Sequence, residues 1–273
     1  MSHLRRDVYT FGMHVRSGDT EIYYEVHGSG QDLLLIHPFP AHHGIWLPVA
    51  EMLSRRYRVI LSDIRGLGQS SAGEGPATME KHADDLVHLL DELNVGKVVY
   101  LGNSIGGYIF FELWRRHRTR VSAVVLVDTK AGADSDEARR TRLAAAEDVL
   151  KRGTEPFIDA HLPRLMGEST HRNRPDKVAE ARRMMMQASP AGIAAVQRGM
   201  AVRSDSHATL ATIDVPAMLI CGEEDGLTPP LEMEIMHRSI RGSVFRRVPQ
   251  AGHYSPFEQP EDVHRLLRDF LGA

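Results

Sequence analysis

Apolar residues take two alternating textures along the first half of the chain. Nearly unbroken runs at 33–36, 98–101 and 121–127 alternate with longer stretches in which apolar positions recur every three or four residues. The short runs predict strands buried on both faces, and the spaced stretches predict amphipathic helices lying over them. Residues 20–26 (TEIYYEV) and 58–61 add strand-like segments rich in β-branched and aromatic side chains. Helical spacing covers 46–53, 79–93 (with Ala83, Leu86, Leu89, Leu90 and Leu93 on one face) and 105–114. The pattern predicts an α/β fold, with a mostly parallel sheet covered by helices on both sides.

The rhythm stops near Lys130 and resumes after about residue 208, with strands at 217–221 and 243–248 and helices near 231–239 and 260–271. Between those limits the text is helical but irregular, punctuated into short pieces by Pro156, Pro163, Pro175 and Pro190. It carries 14 Lys+Arg against 11 Asp+Glu, whereas the whole chain is net −3. This predicts a core domain of residues 1–129 and 209–273, interrupted after about the sixth strand by a helical cap of residues 130–208. Open α/β sheets bind ligands at the carboxyl ends of their strands, which is where such a lid would lie.

Composition narrows the class further. A chain of 273 residues with 42% hydrophobic and 25% charged residues builds its own core, and its near-balanced charge excludes a general nucleic-acid binder. Its single cysteine, Cys221, rules out an internal disulfide and reads as a small core residue. No apolar run reaches the roughly 18 residues of a membrane span, and Met1 to Asp7 lead into no signal-peptide core. The expectation is a cytoplasmic protein with no membrane association, free to form a homo-oligomer.

The sharpest chemistry lies in Gly102-Asn103-Ser104-Ile105-Gly106-Gly107, between a predicted strand and a predicted helix. Glycines two residues either side let the chain turn tightly where a Cβ would strike the neighbouring strand or helix. The serine hydroxyl is thereby lifted to the helix N-terminus. The bland alternative is an N-cap serine. A serine needs a base, and of 15 histidines His253 stands in the loop between the last strand and the final helix. The base in turn needs an acid. Asp225, in Gly222-Glu223-Glu224-Asp225 after a buried strand, is the leading candidate, although it also reads as a turn former. Glu223, Glu224 and Asp128 compete with it. Of Pro38-Phe39-Pro40, only Phe39 has an N–H to donate, so the N–H groups of Phe39 and Ile105 are the expected oxyanion donors.

These residues resemble the α/β-hydrolase superfamily over nearly the whole chain. The likeness is carried by His37-Pro38-Phe39-Pro40 (with Pro38 where the family has Gly), Asp63-Ile64-Arg65-Gly66-Leu67-Gly68-Gln69-Ser70, the Ser104 turn, Gly222 to Asp225 with Pro229, and Ala251-Gly252-His253 with Glu258 and Pro260. The chain order Ser104, Asp225, His253 is that of the family's nucleophile, acid and base. The resemblance implies a serine hydrolase acting on a small ester or lactone through an acyl-enzyme on Ser104, with no cofactor. Serine at the turn disfavours haloalkane dehalogenases and epoxide hydrolases. Overall likeness is to 3-oxoadipate enol-lactonases and small carboxylesterases. Asn103 keeps open a C–C hydrolase of the meta-cleavage-product type, and a ligand-binding receptor with little turnover is a rival of another class.

Four further residues are read as pocket-lining: His42, Trp46, Met185 and Tyr254. His42 and His43 show no carboxylate or cysteine cluster nearby in the sequence, so no metal site is read there. The basic run Arg115-Arg116-His117-Arg118 ends a helix, where positive charge complements the dipole.

Overall fold

The strands are β1 (Tyr9–Ser17), β2 (Thr20–His27), β3 (Gln31–Ile36), β4 (Tyr57–Ser62), β5 (Val98–Asn103), β6 (Val121–Val127), β7 (Ala217–Gly222) and β8 (Val244–Val248). In this computed structural model, which describes residues 9–272, they join in one sheet of order β1-β2-β4-β3-β5-β6-β7-β8. β1 and β2 pair antiparallel, as do β2 and β4, and the remaining neighbours are parallel. The sequence pattern foresaw every strand but β1, of which Val15 and Ser17 are buried at the sheet edge. Met1 to Asp7, read above for a signal peptide, lie outside the described residues.

Alternation along the buried strands explains why their runs are continuously apolar. Leu34, Ile36, Ile60, Tyr100, Val124, Leu126 and Leu219 face one side, where α2 (Met79–Glu92) and α3 (Ile105–His117) pack. Leu33, Leu35, Val59, Leu61, Val99, Leu101, Val125 and Ile220 face the other, covered by α1 (Leu47–Leu53) and α12 (Pro260–Leu271). Successive side chains point to opposite faces, so two cores require an apolar residue at every position.

Between β6 and β7 run α4 (Asp136–Arg152), α5 (Thr154–Leu165), α6 (Glu168–Asn173), α7 (Pro175–Met185), α8 (Pro190–Ala201) and α9 (His207–Leu210), with no strand among them. Their apolar faces join the same core cluster as α2 and α3. Pro175 and Pro190 open α7 and α8, where a missing N–H costs nothing. Pro156 and Pro163 do not break the chain as expected. Both lie in α5, Pro156 in its first turn and Pro163 in its last. The final helices are α10 (Pro230–Ser239) and α11 (Ser255–Glu258), preceding α12. No helix among the described residues is long and apolar enough to cross a membrane.

Candidate active site

The parallel strands end on one edge, and the loops after β3, β5, β7 and β8 carry Phe39, Ser104, Asp225 and His253 respectively. Ser104 adopts φ 55°, ψ −110° between β5 and α3, a conformation that few residues with a Cβ adopt. The turn closes only because its neighbours are glycines. A Cβ on Gly102 would lie 2.6 Å from Gly106 carbonyl atoms, and one on Gly106 would lie 2.9 Å from the Ile36 carbonyl oxygen. The Ser104 side chain does not cap α3. Its hydroxyl instead lies 2.7 Å from Nε2 of His253.

Nδ1–H of His253 donates to Oδ2 of Asp225 at 2.8 Å, which leaves Nε2 free to accept from Ser104. Asp225 serves two purposes, one per oxygen. Oδ1 accepts the N–H groups of Leu227 (2.8 Å) and Thr228 (3.0 Å) in its own turn, and Oδ2 takes the Thr228 hydroxyl (2.6 Å) besides the imidazole. Burial opposes ionisation of Asp225, but the imidazole and the Thr228 donors outweigh it and hold the carboxyl below its ordinary value. The competing acids are engaged otherwise: Glu223 is exposed, and Glu224 accepts from the N–H (2.8 Å) and hydroxyl (2.5 Å) of Ser169. Asp128 binds the N–H of Gly222 (2.7 Å) and the N–H (3.1 Å) and hydroxyl (2.6 Å) of Ser255. Complete burial, reinforced by the Asp225 charge, pushes the Asp128 carboxyl well above its usual range.

The sequence reading missed two supporting residues. Asn103 donates its amide to the carbonyls of Val127 and His253, both at 3.2 Å, tying the turn to the histidine loop. Thr228 was legible in principle, because an aspartate that caps its own turn meets the residue three positions on. Asn103 left no comparable signal, since its partners are distant in sequence.

Ile105 opens α3, so its N–H is one of those a helix leaves without an internal partner. The Phe39 carbonyl accepts the Tyr254 hydroxyl at 3.0 Å, and the Phe39 ring meets Phe157 of α5 edge-on at 5.9 Å. His37, fully buried, donates Nδ1–H to the Pro38 carbonyl (3.0 Å) and accepts the Ile64 N–H at Nε2 (3.0 Å), bracing the same loop.

The expected pocket residues separate. Trp46 is sealed behind the sheet in the cluster of Leu35, Val49 and Leu61, its indole N–H donating to the Ile36 carbonyl at 2.9 Å. It therefore anchors the loop from behind, on the α1 side of the sheet and away from the cluster that holds Ile105 and Tyr254. Tyr254 is fully buried on the Ser104 side, as is Met185. Met184 is the member of the methionine run beside Gly44 and His42. A cavity of about 310 Å³ lies along the seam between α5, α6 and the acid loop, touching Arg164, Met166, His171, Glu224 and Gly226.

No carboxylate stands near His42 and His43 in the sequence, but the fold brings Asp63 and Glu25 to His43. Oδ1 of Asp63 accepts the backbone N–H and Nδ1–H of His43, both at 2.8 Å, and Oδ2 accepts the Gln69 N–H at 2.9 Å. Glu25 lies 3.4 Å from Nε2 of His43 and accepts the Tyr23 hydroxyl at 2.6 Å. Burial alone would lower the His43 pKa, but the two carboxylates raise it to about 9. His42, His43 and Asp63 place ligand-type atoms within 4.8 Å of one another. Those of Asp63 and His43, and Nδ1 of His42, are committed to the bonds above and to the Gly44 N–H (3.1 Å), so an ion there would have to displace them.

Comparison with known proteins identifies the fold and family. The family model for the alpha/beta hydrolase fold matches residues 33–260. A thermophilic esterase from Thermogutta terrifontis, solved with malate bound, is 40% identical and superposes with a TM-score of 0.91 over 97% of this chain and 98% of its own. The 3-oxoadipate enol-lactonase 1 of Acinetobacter baylyi is 29% identical over 84% of each chain. A putative carbamate hydrolase, RutD, of Azorhizobium caulinodans is 27% identical over 95% of this chain and 98% of its own.

Proposed function

This chain belongs to the alpha/beta hydrolase family, and from that premise we propose that it is a serine hydrolase cleaving a carboxylic ester or lactone through an acyl-enzyme on Ser104. The reading is carried by one observation: an unbroken relay from Asp225 to His253 (2.8 Å) to a serine hydroxyl (2.7 Å) that is not spent on capping its helix. Ser104 attacks the acyl carbonyl as His253 takes its proton. Asp225 holds the imidazole in the required tautomer and balances its charge. The N–H groups of Phe39 and Ile105 receive the developing oxyanion. His253 then protonates the leaving alcohol and afterwards deprotonates the water that frees the acid. Apart from the hydrolytic water and the substrate, every group this cycle uses is a residue of the chain, so it calls on no cofactor.

Residues 130–208 are the cap in this reading, closing over the strand ends. The named relatives support a small acyl substrate. Asn103, which prompted the C–C hydrolase alternative, spends its amide on the Val127 and His253 carbonyls and so does not itself indicate which bond is cut. The test is a panel of short acyl esters, enol-lactones, a carbamate and a vinylogous 1,5-diketone, run beside Ser104→Ala and Asp225→Asn. Turnover should be confined to esters or lactones. It should fall by at least ~10³-fold in Ser104→Ala and by on the order of 10³–10⁴ in Asp225→Asn, with unfolding temperatures near wild type. Undiminished turnover by Ser104→Ala removes the mechanism, and selective cleavage of the diketone replaces the ester.

A further inference from the structure

One buried carboxylate holds both the loop of His253 and the nearest corner of the 130–208 insertion. Oε1 of Glu258 accepts the N–H groups of Gly252 (3.0 Å) and Tyr254 (3.1 Å), the residues that flank His253. Its Oε2 accepts the Gly167 N–H (2.8 Å) and the Thr170 hydroxyl (2.6 Å), at the junction of α5 and α6. The side chain thus has two donors on each oxygen, one pair from each structural unit. Contacts around it reinforce the seam. Lys177 of α7 donates to the carbonyls of Phe257 (2.8 Å) and Glu258 (3.0 Å), and Gly167 and Gly252 approach so closely that a Cβ on either would overlap the other's backbone.

Glu258 is 3% exposed, and a carboxylate so buried is tolerable only while its oxygens are paired. Unseating the Gly167–Thr170 corner strips both donors from Oε2. The carboxylate then gains by turning toward water, and Oε1 leaves the two N–H groups that hold the histidine loop. We propose that Glu258 is a positioning residue that couples seating of the cap to alignment of the base, so that His253 reaches Ser104 fully only when the Gly167–Thr170 corner is docked. This deepens the serine-hydrolase reading and rests on it. A plain structural clamp would instead affect folding and leave the chemistry of a folded molecule unchanged.

Two variants separate these. Thr170→Val keeps the side-chain shape and severs only the bond on the cap side, far in sequence from the catalytic residues. Glu258→Gln forces an NH₂ group onto one of the two donor pairs. The readouts are the rate at which a small alkyl fluorophosphonate phosphonylates Ser104, kcat and KM for a short acetate ester, and the thermal unfolding midpoint. Because displacements near 1 Å can cost about 100-fold, phosphonylation and kcat should fall about 10-fold in Thr170→Val, and as much or more in Glu258→Gln, with KM little changed. The inference is overturned if Thr170→Val reacts at the wild-type rate, whatever happens to either unfolding midpoint. If Glu258→Gln fails to fold, Thr170→Val alone decides. Failure of the underlying reading looks different: wild type would resist phosphonylation, or Ser104→Ala would still turn over.

Discussion

Ser104 holds φ 55°, ψ −110°, and such a conformation costs a residue with a Cβ on the order of 1–3 kcal/mol. Part of that strain is recoverable. Ser104→Gly should unfold in urea with a free energy about 1 kcal/mol above that of Ser104→Ala, after allowing for the larger unfolded-state freedom of glycine. Equal or lower stability would mean the turn is unstrained. The three residues of the relay were legible because each stands in a short loop directly after a strand, among glycines or turn formers. Trp46 was misread for the opposite reason. An aromatic after a loop at the strand ends looks the same in sequence whether it faces forward or, as here, back into the core beside Leu35 and Val49.

Elements carry a different kind of constraint, seen best in α8. Gly192 and Gly199 stand two turns apart on one face of it, and a Cβ on either would overlap the carbonyl oxygen of Gly66 or Ala77. The Ala77 N–H also donates to the Ala195 carbonyl at 3.0 Å, so the helix lies directly on the 64–77 loop. On intrinsic propensity, Gly→Ala inside a helix stabilises by up to ~1 kcal/mol. Here Gly199→Ala should instead destabilise by about 1–3 kcal/mol through overpacking, read as a lowered thermal unfolding midpoint. A raised midpoint would show that the contact is loose. The unforeseen strand β1 is instructive beside it. Over residues 12–17 only Val15 and Ser17 of this antiparallel edge strand are buried, so periodicity was weak, yet the two-residue Gly18-Asp19 connection to β2 was a usable hairpin signal.

Across the molecule, buried histidines set opposite pH dependences. Complete burial holds His37 near 4, so the folded protein resists a proton that the unfolded chain takes up around 6.5. Its contribution to stability is present above that value and is lost as pH falls from 6.5 toward 4. His43 behaves in reverse. Burial disfavours its charge, but Asp63 and Glu25 raise it from 6.5 to about 9, so its contribution is full below 6.5 and disappears as pH rises through 9. The stability difference between wild type and His43→Gln should therefore shrink by on the order of 3 kcal/mol between those limits. A constant difference in urea titrations at pH 6 and 9.5 would show that His43 carries no such charge coupling.

Strand identity, the helical interruption and the placing of Ser104, Asp225 and His253 in loops after strands are properties of local pattern, because burial on both faces demands continuous apolar runs and tight turns demand glycine. The chain by itself determined these. Which charged groups meet is decided only when distant loops share a sheet edge. Folding brings Asp63 and Glu25 to His43, sets Asp128 behind Asp225, and closes Glu258 over both Gly167 and Gly252. Hydrogen bonds and charge coupling act over a few ångströms, whereas these partners are separated by up to 97 positions along the chain in the case of Asp128 and Asp225. No one-dimensional pattern records that convergence.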